Sequence, residues 1–214
     1  MKIYFLMIPV IIGILFGAIM ITNQQESSTN SMILNKENLL YGSTILGNSD
    51  AKISIVEFGD YQCTFCYKFH KDTMKEIVRK YVENGDVNFV YKDFPLNGAP
   101  SIMASEASYC AQEQRMFWEY HDIIFENWQG ENTGWITREV LSDFARDIGL
   151  DLDEFNSCMN NSRFYEKVLN NEEFAKKINI DATPSFMIFN ENEVYRIVGA
   201  QPFEKFEETL QKLR

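Results

Sequence analysis

Basic side chains and histidines are scarce in this sequence of 214 residues. The 20 lysines and arginines are outnumbered by 31 aspartates and glutamates, which gives a formal net charge of −11. This charge argues against nucleic-acid binding, because phosphates require a basic partner surface. The sequence also contains no phosphate-binding loop, dinucleotide fingerprint, catalytic serine motif or internal repeat. No nucleotide cofactor is therefore predicted.

The N-terminal region is almost uninterrupted in its apolar side chains over residues 3–22. A run of this length can cross a bilayer, so we predict that residues 1–22 are a membrane anchor. A cleaved signal peptide and a buried helix remain as alternatives. Lys2 before the run and Glu26 after it predict that the rest of the chain is extracytoplasmic, where disulfides persist. Residues 23–40 are mostly polar and are predicted to be a linker.

The chain is organised around a predicted strand that leads into a helix carrying two cysteines. Residues 53–58 are largely apolar, and Cys63 and Cys66 follow after a short turn. Apolar side chains then recur at spacings of three and four until residues 83–85, which end the helix. A helix N-terminus stabilises a thiolate and lowers the pKa of a cysteine placed there. The pattern therefore predicts a redox-active dithiol in which Cys63 is the attacking thiol and Cys66 the resolving one.

The remaining elements define the fold class. An edge strand is expected at 43–46 and a strand at Val87–Phe94, which completes a βαβ unit. A helical block follows, in which 101–128 is predicted to be one helix. The chain then returns to two strands and a helix that begins after Pro202. This order predicts an α/β thioredoxin fold with an inserted all-helical subdomain, formed by residues 41–100, 101–178 (the insertion) and 179–214.

Five sequence motifs support a more specific interpretation, in this order along the chain: Val56-Glu-Phe-Gly-Asp-Tyr-Gln-Cys63-Thr-Phe-Cys66, Tyr91-Lys-Asp-Phe-Pro-Leu96, Phe117-Trp-Glu-Tyr-His121, Ala182-Thr-Pro-Ser-Phe186 and Gly199-Ala-Gln-Pro202. From about residue 41 to the C-terminus the chain resembles the DsbA-like thiol–disulfide oxidoreductases, in particular their membrane-tethered or secreted prokaryotic members. Such enzymes use no cofactor beyond their own redox-active disulfide.

The resemblance assigns roles to further residues. Glu57 corresponds to a buried acid that exchanges a proton with the second cysteine, and Lys92 to a lysine that pairs with that acid. Pro184 corresponds to a cis-proline that faces the two cysteines and, with Thr183, binds an extended substrate peptide. A solvated strand-end carboxylate and an ordinary loop proline are the alternatives for Glu57 and Pro184.

The dipeptide between the two cysteines, Thr64 and Phe65, departs from the proline and histidine of the best-known oxidant of this family. The dipeptide influences thiolate stability and hence the reduction potential, so we expect a less extreme oxidant. Phe65 is expected to contact substrate. Zinc binding by Cys63 and Cys66 is disfavoured, because a structural zinc site requires four ligands. No metal site is predicted.

The other two cysteines, Cys110 and Cys158, lie in predicted helices of the insertion. In an oxidising compartment we expect a structural disulfide between them, with two unpaired buried thiols as the alternative. His70 is expected to be a surface or packing residue.

The predicted function is disulfide formation in thiol-containing proteins outside the cytoplasm. By resemblance, a membrane quinone-linked protein would restore the enzyme's disulfide. Two alternatives remain, namely a disulfide isomerase or reductase that uses the same site and a surface binding module whose cysteines are all structural.

Overall fold

The structure is a computed structural model that describes residues 36–214. The predicted anchor at 1–22 and most of the predicted linker lie outside these residues. The last part of the linker forms a short helix, α1 (Lys36–Leu40), where no secondary structure was expected. Within residues 36–214 no helix is both long enough and apolar enough to cross a membrane.

A five-stranded mixed sheet forms the centre of the fold, with strand order β1-β3-β2-β4-β5. Strands β2 and β3 are parallel, and every other neighbouring pair is antiparallel. The strands are β1 (Ile45–Leu46), β2 (Ile53–Gly59), β3 (Val87–Asp93), β4 (Ser185–Phe189) and β5 (Val194–Val198). The predicted thioredoxin-like α/β class is confirmed.

The two parallel strands are buried along their whole length. Gly59, at the end of β2, lies against the ring of Tyr91 on β3. A Cβ added at Gly59 would stand 2.4 Å from Tyr91 Cε2, so only glycine fits this position without a shift. The Tyr91 ring can therefore pack directly against the backbone at the end of β2.

Helix α2 covers residues 64–82 and carries the two cysteines at its start. It begins as an α-helix at Thr64–Phe69 and widens into π-helical turns at His70–Met74 and Val78–Val82. A wide turn accommodates one extra residue and is frequent at functional sites. The predicted βαβ unit is confirmed by the parallel pairing of β2 with β3.

The insertion consists of five helices: α3 (Ala99–Glu113), α4 (Phe117–Glu126), α5 (Arg138–Asp147), α6 (Leu152–Asn160) and α7 (Tyr165–Lys177). The prediction of a single helix over 101–128 was wrong. Helix α3 ends because Arg115 adopts a left-handed conformation, with φ of 66°, and the Met116 N–H donates to the Ala111 carbonyl oxygen. The apolar periodicity conceals this break, because Phe117 after the turn is also buried.

Two hydrophobic cores stabilise the folded unit. One lies between the sheet, α2 and the C-terminal helix α8 (Phe203–Leu213). The other lies within the insertion and reaches Tyr61 and Cys66 beside β2. Cys110 on α3 and Cys158 on α6 are joined in this second core by a disulfide, with a Cα–Cα distance of 5.8 Å. A cavity next to Cys110 is lined by Glu113, Gln114, Asp153, Glu154, Ser157 and Arg163.

Candidate active site

Cys63 occupies the N-cap position of α2. Its Sγ donates to the backbone carbonyl oxygen of Thr183 at 3.4 Å. A hydrogen bond from the Cys66 thiol is the main cause that lowers the pKa of Cys63 to about 6; a hydrogen bond with the Thr183 side chain and the amides of Cys66 and Phe65 act in the same direction. Cys63 is therefore mostly a thiolate at neutral pH.

Cys66 differs from Cys63 although only two residues separate them. Its side chain is completely buried, and its Sγ accepts a hydrogen bond from the Asp60 N–H at 3.4 Å. Burial, followed by the nearby Cys63 thiolate, raises the pKa of Cys66 well above the ordinary value of a thiol. The site thus combines one ionised sulfur at the helix end with one protonated sulfur behind it, and neither is bonded.

Glu57 lies in the middle of β2 and is almost fully buried. Burial, with a smaller contribution from the Cys63 thiolate, raises the pKa of Glu57 well above its usual range. Within residues 36–214 Glu57 forms no ion pair. A buried carboxyl with a raised pKa holds its proton more tightly than an exposed one and can give up or accept a proton within the site.

The predicted pairing of Lys92 with Glu57 is wrong. In the parallel register Glu57 stands beside Tyr91, whereas Lys92 stands beside Phe58 on the opposite face of the sheet. Lys92 Nζ donates to the Tyr41 carbonyl oxygen at 3.0 Å and lies 5.6 Å from the centre of the Phe174 ring. Burial lowers the pKa of Lys92 to about 8.

Thr183 and Pro184 precede β4 and are joined by a cis peptide bond. The loop approaches the cysteines through the Thr183 carbonyl oxygen, as described above. The Pro184 carbonyl oxygen accepts from the Gly199 N–H at 2.8 Å, which fixes this loop against the end of β5. The structure thus brings Thr183 and Cys63 together, although 120 residues separate them in the chain.

Phe65, which was expected to contact substrate, has a side chain that is 55% exposed. It follows Thr64 in the first turn of α2. The Lys68 ammonium lies 5.1 Å from the centre of its ring. An exposed aromatic ring beside a reactive sulfur suits contact with another protein.

A buried polar cluster around Asp60 was not predicted. Asp60 Oδ1 accepts from the Gln62 N–H at 2.7 Å and from Ser101 Oγ at 2.6 Å, and Oδ2 accepts from the Asn97 N–H at 2.8 Å. These bonds fix the turn between β2 and α2, and the Asp60 N–H is the group that reaches Cys66. An aspartate two residues before a polar residue in a turn is a local signal for part of this cluster. Asn97 and Ser101, which bind Asp60 from 37 and 41 residues farther along the chain, have no such signal.

The loop between α4 and α5 was also not predicted to reach the cysteines. Trp128 Nε1 donates to the Gln62 carbonyl oxygen at 3.1 Å, and the indole stacks on Tyr67 with ring centres 4.6 Å apart. A carboxylate of the same loop, Glu131, accepts from the Thr64 N–H at 3.0 Å. The helical insertion therefore contributes directly to the surroundings of Cys63.

His70 is a buried packing residue whose Nε2 lies 2.9 Å from Asp122 Oδ1. His70, His121 and Asp122 form the one group within residues 36–214 whose ligand atoms approach closely enough to be considered for a metal ion, and the two cysteines are not part of it. Burial lowers the pKa of His121 to about 3, so its ring is neutral.

The fold and the two unequal thiols define the class of this protein as a DsbA-like thiol–disulfide oxidoreductase. Residues 40–212 match the protein family described as Thioredoxin, and the chain belongs to that family. Disulfide bond formation protein D of Bacillus subtilis is 27% identical over 174 residues, which are 80% of this chain and 77% of that protein.

Two solved structures show the same relationship. The oxidised BdbD of Bacillus subtilis is 28% identical, with a TM-score of 0.73 over 81% of this chain and 93% of that one. The α-DsbA1 of Wolbachia pipientis is 25% identical, with a TM-score of 0.73 over 86% of this chain and 94% of that one.

Proposed function

We propose that this protein forms disulfides in thiol-containing proteins outside the cytoplasm, through reversible opening of a Cys63–Cys66 disulfide. The carrying observation is the contrast between the two thiols, since the pKa of Cys63 is lowered to about 6 and that of Cys66 is raised. At pH 7 a group with this pKa is about nine-tenths ionised, so Cys63 is a good leaving group.

The proposed reaction begins with attack of a substrate thiolate on Cys63 of the oxidised enzyme. The Cys63–Cys66 bond breaks, Cys66 leaves with the electron pair, and a mixed disulfide joins the substrate to Cys63. A second substrate thiolate then attacks the substrate sulfur of this bond, so Cys63 leaves as a thiolate. The substrate loses two electrons and two protons. The enzyme gains both electrons, one proton is bound at Cys66, and the other goes to solvent.

Glu57 is the proposed proton donor for the Cys66 sulfur when the disulfide opens. Its carboxyl is buried, influences the pKa of Cys66, and retains its proton because its own pKa is raised. In the return reaction the same carboxylate would accept the proton from Cys66 before the disulfide closes. A solvent molecule would have poor access to this sulfur, since Cys66 is completely buried.

The loop at Thr183 and Pro184 is the proposed binding site for the backbone of the substrate, and the exposed ring of Phe65 is the proposed contact for its side chains. The Thr183 carbonyl oxygen stands against the reactive sulfur. A substrate segment extended along this loop would therefore bring its own sulfur to Cys63.

The direction of exchange follows from the ionisation of Cys63. The thiolate exists only in the reduced enzyme, so its stabilisation favours reduction of the enzyme and oxidation of the substrate. A fall in pKa from 9.0 to about 6 stabilises the reduced form by about 1.4 kcal/mol at pH 7, which corresponds to roughly 30 mV of reduction potential.

The proposed setting is the extracytoplasmic face of a membrane, with residues 1–22 as an anchor or a cleaved signal. We further propose reoxidation by a membrane quinone-linked protein, with no cofactor beyond the Cys63–Cys66 disulfide. The names of the related proteins, disulfide bond formation protein D and protein-disulfide oxidoreductase, support protein thiols as the substrates.

Equilibration with glutathione buffers of known ratio tests this proposal. We expect a reduction potential clearly above the approximately −270 mV of thioredoxin, whereas a value near that figure would favour a reductase. The variant Cys66→Ser should accumulate a mixed disulfide with a reduced protein substrate after mild oxidation, and Cys63→Ser should not. Equal behaviour of both variants, or no thiol-dependent turnover of insulin by the wild type, would contradict the proposal.

A further inference from the structure

The Glu131 carboxylate caps the N-terminus of α2, the helix that carries Cys63 and Cys66, although Glu131 itself is not part of that helix. It lies on the loop between α4 and α5, and its Oε2 accepts from the Thr64 N–H at 3.0 Å and from Thr64 Oγ1 at 3.2 Å. Thr64 directly follows Cys63 in the chain. A negative charge is thus bound to the helix N-terminus one residue away from the reactive sulfur.

Other contacts of the same loop hold Glu131 in this position. Trp128 is fixed on Gln62 and Tyr67 by the hydrogen bond and the stacking described above. Farther along the loop, Trp135 Nε1 donates to the Gly130 carbonyl oxygen at 2.9 Å, and the Trp135 ring is buried. Gly130 is the residue before Glu131, so these contacts anchor the loop backbone directly before the carboxylate.

Two anionic groups therefore share one helix end in the reduced enzyme. The amides of Phe65 and Cys66 stabilise the Cys63 thiolate, and the preceding amide, that of Thr64, is bound by Glu131. The first amides of a helix are a limited set of donors with partial positive charge, and each anion there is stabilised by them. Like charges at such close positions also repel each other.

We propose that the Glu131 carboxylate favours the oxidised form of the Cys63–Cys66 pair and so limits the oxidising power of the enzyme. In the oxidised enzyme Cys63 is part of the disulfide and carries no charge. The Glu131 carboxylate then stabilises the helix N-terminus without repulsion from a second anion. In the reduced enzyme it repels the Cys63 thiolate. Glu131 is thus a positioning and tuning residue, and this inference rests on the proposed role of Cys63 and Cys66 as the redox pair.

The variant Glu131→Gln tests the inference, because its amide oxygen still accepts from Thr64 while the charge is removed. Removing one negative charge from this helix terminus should raise the acid dissociation constant of the Cys63 thiol roughly threefold, which means a lower pKa. The same threefold change is expected in the glutathione equilibrium towards reduced enzyme, which corresponds to about 14 mV. The thiolate absorbance near 240 nm gives the first quantity, and the reduced fraction in glutathione buffers gives the second.

Two further variants separate charge from structure. Glu126→Gln removes the same charge in the last turn of α4 and should change neither quantity. Within residues 36–214 the ion-pair partner of Glu126 is the exposed Lys75, at 3.4 Å. Glu131→Asp keeps the charge on the same loop and should titrate much closer to the wild type than Glu131→Gln does.

The results distinguish this inference from the proposed function. A normal wild-type titration with no change in Glu131→Gln, or with equal changes in Glu131→Gln and Glu126→Gln, would overturn the role of Glu131 alone. If the wild type has no thiolate signal that disappears in Cys63→Ser, the proposed function fails, and the role of Glu131 fails with it.

Discussion

The hydrogen bond between the two thiols predicts that the ionisation of Cys63 depends on the side chain at position 66. The Cys66 thiol is the largest single cause that lowers the pKa of Cys63 to about 6. Replacing Cys66 by alanine removes this donor and keeps the helix. Replacing it by serine keeps a hydroxyl donor of similar size at the same place.

The expected magnitude follows from the strength of that bond. A hydrogen bond to a charged group contributes about 1.5–3 kcal/mol, and a thiol is a weak donor, so the lower end of this range applies. A loss of about 1.4 kcal/mol is one pKa unit. In Cys66→Ala the pKa of Cys63 should therefore rise from about 6 to about 7, while Cys66→Ser should stay near or below the wild-type value.

The assay is a pH titration of the thiolate absorbance in the reduced proteins, with Cys63→Ser as the blank. The midpoint is the appropriate quantity, because the alkylation rate of a thiolate also increases with its pKa and would partly cancel the effect. If Cys66→Ala and Cys66→Ser titrate at the same pH as each other and as the wild type, the hydrogen bond does not control the ionisation of Cys63. The explanation given above for the low pKa would then be wrong.

Three further predictions concern stability. Burial raises the pKa of Glu57, so the oxidised wild type should lose stability as the pH rises above the ordinary carboxyl pKa of about 4.3. Glu57→Gln, which cannot ionise, should lose less stability over the same rise in pH in urea unfolding, and parallel pH profiles would contradict this. The double variant Cys110→Ala/Cys158→Ala should lose about 4 kcal/mol of unfolding free energy, because the bond closes a separation of 48 residues, yet should equilibrate with glutathione like the wild type. Gly59→Ala should lose about 1–3 kcal/mol in the same unfolding assay, since its methyl group would overlap the buried ring of Tyr91, and an unchanged denaturation midpoint would show that the ring can move.

The sequence was informative wherever the signal is local. The apolar run before Cys63, the helical periodicity after it and the return to strands at Ser185 predicted the order of the elements and the fold class. Thr137 and Asp151 are residue types that favour helix caps, and both side chains accept backbone hydrogen bonds at the starts of α5 and α6. These features depend on neighbours a few residues away, which is the range over which sequence patterns act.

The features that the sequence did not reveal depend on distant pairing. Lys92 was predicted to pair with Glu57. Which side chains of two strands share a face is known only when the register is known, and the register places Lys92 and Glu57 on opposite faces of the sheet. Glu131 reaches Thr64 across 67 residues, and nothing in its own loop distinguishes it from an ordinary surface carboxylate. The end of α3 near Arg115 was not predicted, because a left-handed residue other than glycine has no strong sequence signal.

The bond between Cys110 and Cys158 has a consequence for an enzyme whose own chemistry cleaves such bonds. Exchange requires in-line approach of an anionic sulfur, and both of these cysteines are buried in the core of the insertion. The cavity beside Cys110 is bordered by three carboxylates, Glu113, Asp153 and Glu154, and by Arg163, which pairs with Glu113. The net charge of this lining is negative and disfavours the approach of anionic glutathione and thiolates. The same molecule can thus cycle its Cys63–Cys66 pair repeatedly while its internal crosslink persists unchanged through every turnover.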